Sequence, residues 1–319
     1  MKQKKILVIT PISHINGVKE TLNQIGDVVY LDDPSIDEVR DNIKDVHAIF
    51  TNPNKSKIYL GRNILDEAKL LQVICTASTG TNHIDKALAK SKGIKVISLT
   101  EEREIINKIS STAEHAFALT LASIRNIKRA NDSVINNEWD YTKFIGRQIN
   151  KLSFGIIGYG RLGKFYAHYC RAFGAKVYIY DPYKIVKEDR MIQVNQLNEI
   201  FMKSDVISLH VHVSDETINM INKDCLKCAK EDMLIVNTSR GDIINEEDLV
   251  EYLKNNCLSK VATDVLSNEI QEKENSPLLQ YSKISDQVLI TPHIGGMTKE
   301  AQEIAYGHAA YLLKNYKFN

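Results

Sequence analysis

Cysteine is scarce in this chain and shows no pairing pattern. Cys75, Cys170, Cys225, Cys228 and Cys257 are odd in number and scattered. That argues against a disulfide framework and suits reduced thiols, so the expected location is cytoplasmic. Cys225-Leu226-Lys227-Cys228 has the spacing of half a zinc site, but no second pair follows it, and no metal is expected. An excess of either charge is missing as well. The formal net charge is +1, so no global field directs the chain to nucleic acid or to a membrane surface. No apolar run approaches the roughly 20 residues that a bilayer-spanning helix needs. Met1 to Lys5 followed by Ile6 to Thr10 resembles a signal peptide only superficially, because the apolar run is too short and Pro11, Ser13 and His14 follow at once. No low-complexity tract or linker-rich segment interrupts the chain.

What is present is an ordinary globular composition, 43% hydrophobic and 25% charged, in a chain of 319 residues, long enough for two domains. Short apolar runs at 6–10, 28–31, 48–51, 71–75 and 94–97 read as strands. Helical patterns fall between them, near 17–26, 36–43, 64–68 and 84–90. Residues 102–129 read as one long helix, richest in apolar residues from Ala113 to Ile124. A second alternating series begins at residue 152, with strands expected at 152–157, 176–180, 205–210, 233–237, 260–264 and 288–291. A last helix is expected over about 299–316, where it could return to pack on the first domain. Alternation of this kind predicts parallel sheets covered by helices on both faces. Two such units in one chain predict a cleft between them for a ligand.

The second series opens on Ser153-Phe154-Gly155-Ile156-Ile157-Gly158-Tyr159-Gly160-Arg161-Leu162-Gly163, a strand that runs into glycines spaced G-x-G-x-x-G and then a helix. In a dinucleotide site Gly158 permits the sharp turn, Gly160 lets the backbone approach a pyrophosphate, and Gly163 lets helix and strand pack closely. The helix N-terminus then offers N–H groups to the phosphates. The next strand, 176–180, ends at Asp181, about 20 residues past the fingerprint, where a ribose-binding carboxylate belongs. Alone the glycine spacing is a weak signal; here the strand, helix, second strand and terminal acid agree.

Three later segments each follow a strand, where open α/β sheets place ligands. They are Asn237-Thr238-Ser239-Arg240-Gly241, Asp264-Val265-Leu266-Ser267-Asn268-Glu269 and Thr291-Pro292-His293-Ile294-Gly295-Gly296. Singly, Arg240 could be a surface arginine in a turn, Glu269 a solvated loop carboxylate and His293 a loop histidine. Jointly they supply a cation, a carboxylate and an imidazole, a set able to bind an anion, orient a histidine and move a proton.

With these motifs in this order, the chain resembles the D-isomer-specific 2-hydroxyacid dehydrogenases, which use NAD. The resemblance also takes in Thr79-Gly80-Thr81-Asn82-His83-Ile84-Asp85 and Ala113-Glu114-His115, and it covers nearly the whole chain. It implies two Rossmann-like, doubly wound α/β domains: a substrate domain of residues 1–100 plus 294–319 and an NAD-binding domain of residues 101–293. It implies a homodimer formed through the helices after Glu102. By resemblance, Arg240 clamps the substrate carboxylate and polarises the C2 oxygen. His293 is the acid/base, and Glu269 orients it and favours its protonated form. Ser78, Thr79 and Gly80 meet the carboxylate with backbone groups. The cofactor positions carried over are Gly158, Gly160, Arg161, Leu162, Gly163, Asp181, His210, Thr217, Thr238, Ser239, Arg240, Asp264, His293 and Gly295.

There are departures. Relatives acting on phosphorylated glycerate tend to carry arginines beside the substrate loop; here Thr76 holds one such place and Asn52 lies near another, with Lys55 and Lys57 as weak substitutes. Ile270 stands where a proline usually follows the glutamate. Formate-oxidising relatives pair their histidine with glutamine, so Glu269 points to a 2-hydroxy or 2-keto acid. The expected reaction is therefore interconversion of a D-2-hydroxy acid and its 2-keto acid. The alternative is an NAD-sensing interaction scaffold of the same fold with little turnover.

Overall fold

The computed structural model describes residues 4–53, 58–270 and 272–318; Lys55 and Lys57 lie outside the described residues. The chain divides into two units, residues 1–109 with 296–319 and residues 110–295.

In the first unit, β1 (Lys4–Val8), α1 (Val18–Asn23), β2 (Gly26–Tyr30), α2 (Ile36–Ile43), β3 (Ala48–Thr51), α3 (Arg62–Leu65), β4 (Val73–Thr76), α4 (Lys86–Ser91), β5 (Lys95–Ile97) and α5 (Arg103–Ile106) follow one another. The five strands form one parallel sheet in the order β2-β1-β3-β4-β5. Alternate residues of β1 serve opposite faces, as the period of two requires. Ile6 and Val8 join Phe50, Val18 and Leu22, while Leu7 joins Ile49, Val39 and Ile43.

The second unit contains α6 (Ser111–Ile124), α7 (Ile127–Ile135), β6 (Ser153–Ile157), α8 (Arg161–Ala172), β7 (Lys176–Tyr180), β8 (Met191–Gln193), α9 (Leu197–Lys203), β9 (Val206–Leu209), α10 (Lys223–Leu226), β10 (Leu234–Asn237), α11 (Glu246–Asn255), β11 (Lys260–Thr263), α12 (Pro277–Ser282) and β12 (Val288–Ile290). Its seven parallel strands run β12-β11-β10-β9-β6-β7-β8, so strand order reverses at β6, the strand that carries the glycine turn. Crevices for dinucleotides open at such a reversal. One face packs Phe154 and Ile156 against Ala113, Ala116, Tyr166 and Ala167 of α6 and α8. The other packs Ile157, Ile207 and Leu209 against Phe201, Leu249 and Leu253. The short edge strand β8 was not foreseen from sequence.

The chain then returns to the first unit as α13 (Lys299–Lys314). Its Ala309, Ala310 and Leu313 are fully buried, the Tyr306 hydroxyl lies 3.2 Å from Thr10 Oγ1, and Cys75 Sγ donates to the carbonyl of Ala309 at 3.4 Å.

The single helix expected over 102–129 is a correction. It is three helices, α5, α6 and α7. The break between α6 and α7 falls at Asn126, whose φ of 54° is left-handed, a region asparagine tolerates. Its buried amide is held from outside the helix: Nδ2 donates to Ile145 O at 3.3 Å, and Oδ1 accepts from Lys260 Nζ at 2.5 Å. Tertiary hydrogen bonds thus override an apolar pattern that continues through the break. No described helix is long and apolar enough to cross a membrane.

Candidate active site

The glycine turn has the geometry the fingerprint needs. Gly158 sits at φ +89°, and a Cβ on Gly163 would lie 2.0 Å from Gly158 O, so only glycine lets α8 start that close to β6. No side chain caps the N-terminus of α8, and nothing lies within 4 Å of where a Gly160 Cβ would stand. At the end of β7, Asp181 accepts the Tyr159 N–H at 2.8 Å and the Tyr183 N–H at 2.9 Å, one on each oxygen. The carboxylate is thereby held beside the turn with lone pairs to spare. Lys184 donates to the Tyr159 carbonyl at 3.0 Å.

Further along the strand ends, two buried atoms have no hydrogen-bond partner: Thr238 Oγ1 and His210 Nδ1. His210 is partly exposed as a residue, but Nδ1 is buried, its ring packs on Tyr166, and Nε2 lies 2.9 Å from Ser208 Oγ. Burial pushes this imidazole down to about 3, so it is neutral. Thr217 spends its hydroxyl within its own loop, donating to His212 O at 2.6 Å and accepting from Ser214 N at 2.8 Å. An open helix N-terminus, an anchored acid at the end of β7 and orphaned polar atoms beyond β9 and β10 together fit a dinucleotide.

Arg240 follows β10 in a turn fixed by Asn237, which accepts the Ser239 N–H at 3.0 Å and donates to Arg240 O at 2.8 Å. Ser239 Oγ donates to Leu209 O at 2.7 Å, tying the turn to the neighbouring strand. The Arg240 guanidinium donates to Ser239 O at 2.6 Å. Burial lowers its pKa, opposed by the charges of Glu269 and Asp242, and it stays a cation.

The loop after β11 brings Glu269 to His293, with Nδ1 2.6 Å from Glu269 Oε1. An ionised carboxylate only accepts, so Nδ1 carries the hydrogen and Nε2 is turned away from the glutamate. His293 holds a φ of +56°. The Arg240 turn packs tightly on the glutamate loop, because a Cβ at Gly241 would stand 2.0 Å from Leu266 C. Asp264, expected beside the cofactor, has both carboxylate oxygens engaged inside the chain. It accepts from Thr291 Oγ1 at 2.5 Å, Ile294 N at 2.9 Å and Gly295 N at 2.7 Å.

In the first unit, the loop after β4 points its carbonyls inward. Leu99 N donates to Ser78 O at 2.9 Å, Thr100 Oγ1 to Thr79 O at 2.9 Å, and Ser78 Oγ to Gly80 O at 2.6 Å. Among the described residues, the N–H groups of Thr79 and Gly80 make no hydrogen bond.

Sequence reasoning missed Glu246. This buried carboxylate accepts the Ser267 N–H at 2.9 Å and the Ser276 hydroxyl at 2.5 Å, and so pins both ends of the segment that presents Glu269. Nothing in the local sequence separates it from Glu247 beside it.

Residues 117–295 match the NAD binding domain of the D-isomer specific 2-hydroxyacid dehydrogenases. The chain is 34% identical over 304 residues to D-3-phosphoglycerate dehydrogenase of Methanocaldococcus jannaschii, covering 94% of this chain and 55% of that protein. It therefore spans about half the length of the first curated relatives it matches. It is 35% identical over 241 residues to hydroxypyruvate reductase of Thermotoga maritima, covering 75% of this chain and 76% of that one. The solved D-lactate dehydrogenase of Aquifex aeolicus, complexed with NAD and lactic acid, superposes with a TM-score of 0.81 at 28% identity, covering 98% of this chain and 94% of that one. With a dinucleotide fold in place and the family's NAD binding domain matched over more than half its length, the chain belongs to the D-isomer specific 2-hydroxyacid dehydrogenases, whose cofactor is NAD.

Proposed function

We propose that the protein interconverts a D-2-hydroxy acid and its 2-keto acid. The observation that carries this reading is the His293–Glu269 contact at 2.6 Å, on a loop packed against the Arg240 turn. NAD supplies or accepts the hydride at C2 when bound. Arg240 holds the substrate carboxylate and the C2 oxygen through its fork of donors. His293 gives a proton from Nε2 to the keto oxygen in reduction and takes it back in oxidation; Glu269 fixes the ring through Nδ1. The unengaged N–H groups at Thr79 and Gly80, with Ser78 shaping their loop, are donors for the carboxylate.

Gly158, Gly160, Arg161, Leu162 and Gly163 form the pyrophosphate turn, and Asp181 takes the adenosine ribose hydroxyls. His210, Thr217, Thr238, Ser239, Asp264 and Gly295 surround the remainder of the dinucleotide, Asp264 and Thr217 by shaping loops. A homodimer is proposed through α7 and the segment after it, where Ile127, Ile135, Trp139, Tyr141 and Ile145 expose 57%, 69%, 89%, 85% and 82% of their surface. Large apolar residues this exposed and this close in sequence suit an interface.

The test is NADH consumption with a panel of 2-keto acids, from glyoxylate and pyruvate to hydroxypyruvate and phosphorylated forms. Turnover with one of them supports the reading. NADH binding without consumption of any would replace it with an NAD-sensing scaffold.

A further inference from the structure

Ala113-Glu114-His115 is the one family motif to which the proposed chemistry gives no task, and the structure places its histidine beside the acid/base loop. His115 Nε2, on α6, lies 2.9 Å from Thr291 Oγ1 and 3.3 Å from Asp264 Oδ1. The direction of these bonds follows from one carboxylate. Asp264 is almost wholly buried, which would raise its pKa, yet hydrogen bonds from His115, Thr291, Ile294 N and Gly295 N bring it below the ordinary carboxylate range. An ionised Asp264 only accepts, so the Thr291 hydroxyl spends its hydrogen on Oδ1 at 2.5 Å. The Thr291 oxygen can then only receive from His115, and Nε2 must carry a hydrogen. The result is a relay, His115 N–H to Thr291 O–H to Asp264, whose far end accepts the N–H groups of Ile294 and Gly295.

Those two amides follow His293 directly. His293 is a non-glycine residue at φ +56°, a conformation that its surroundings must enforce. Its own N–H reaches back to Thr291 O at 3.0 Å. The loop is thus gripped by Asp264 on both sides of the histidine, at Thr291 before it and at Ile294 and Gly295 after it. Glu269 fixes the ring, but only the backbone decides where the ring begins.

We propose that His115 is a positioning residue for His293, acting through Thr291 and the buried Asp264 carboxylate. The proposal rests on the dehydrogenase reading for its kinetic consequence and on the loop geometry alone for its structural one. Loss of the His115 N–H leaves the Thr291 oxygen without a donor and the clasp one bond short on the α6 side. The loop then samples other backbone conformations, and the proton-transfer geometry is met less often.

The test compares His115→Leu, which removes the donor, with His115→Gln, whose side-chain amide restores one. In His115→Leu, kcat for keto-acid reduction falls roughly 10- to 100-fold while the NADH dissociation constant changes less than about threefold, the pattern expected of misplacement rather than lost binding. His115→Gln recovers most of the lost kcat. Independently of activity, amide exchange in a peptide covering Thr291 to Gly295 of the cofactor-free protein speeds up about tenfold in His115→Leu and not in His115→Gln. If His115→Leu does not fold, Thr291→Val cuts the same relay one link later and carries the same expectation. Unchanged exchange and unchanged kcat in the leucine variant would overturn the proposal, as would a glutamine variant as impaired as the leucine one. A native protein that reduces no keto acid would overturn the dehydrogenase reading instead, and exchange would still decide the clasp.

Discussion

Glu269 meets Nδ1 of His293 at 2.6 Å although 24 residues and two strand ends separate them, and neither residue lies in a helix or strand. Two loops therefore define the pair, each held by a buried carboxylate of its own: Glu246 for the glutamate loop and Asp264 for the histidine loop. Glu269→Gln keeps the size but replaces a charged acceptor by a neutral amide, so the hydrogen bond that fixes the ring weakens. With His293 as the proposed acid/base, kcat for keto-acid reduction is expected to fall roughly 10-fold or more while NADH binding stays near native. Initial rates and an NADH titration of the variant check this, and an unchanged kcat would make Glu269 a bystander.

Arg240→Lys is expected to lower kcat/KM roughly 100-fold or more, because a lysine cannot present two parallel donors to the carboxylate and the C2 oxygen. Its turn is fixed chiefly by Asn237 and Ser239, with one further bond from the guanidinium to Ser239 O, so the fold and NADH binding are expected to stay near native. Steady-state kinetics together with a fluorescence titration of NADH separate the two effects. Native-like turnover at saturating keto acid removes Arg240 from the mechanism.

Asp181, proposed to take the ribose hydroxyls, is expected to set cofactor choice. A 2′-phosphate would face a carboxylate whose oxygens can only accept, and the nearby lysine does not offset it: Lys184 is engaged with the Tyr159 carbonyl at 3.0 Å. NADH is expected to be preferred over NADPH by at least about tenfold in kcat/KM, a difference of about 1.4 kcal/mol. Asp181→Ala narrows that gap. Equal efficiencies in the native protein, or a gap untouched in the variant, would count against the carboxylate.

Stability below neutrality is expected to carry the mark of His210. Its folded value is depressed to about 3 by burial, whereas an exposed histidine titrates near 6.5. Below about pH 6.5 the unfolded chain binds a proton that the native state refuses, so stability is full above that pH and declines as pH falls toward 3, by up to about 1.4 kcal/mol per pH unit. Urea unfolding of the cofactor-free protein and of His210→Gln, from pH 7 to pH 4, measures the difference. The two curves diverge on acidification if the imidazole is responsible and run parallel if it is not.

Much of the second unit is determined by sequence alone. Buried parallel strands favour nearly continuous apolar runs, and Phe154 to Ile157, Val206 to Leu209 with one serine, and Leu234 to Val236 supply them. The turn at Gly158 and the close packing at Gly163 tolerate no side chain, and the spacing of the glycines marks the cofactor end in the sequence itself. Arg240, Glu269 and His293 could be picked out as a set because each follows a strand end. Tertiary structure decided the rest. Asn126 breaks a helix through partners at Ile145 and Lys260, 19 and 134 residues away, which no local pattern encodes. Glu246 reads like any acid in a helix's first turn until burial leaves it facing Ser267 and Ser276. His115 gains a task only when α6 lies beside the ends of β11 and β12, because a hydrogen bond between residues 176 apart depends on packing and not on sequence spacing.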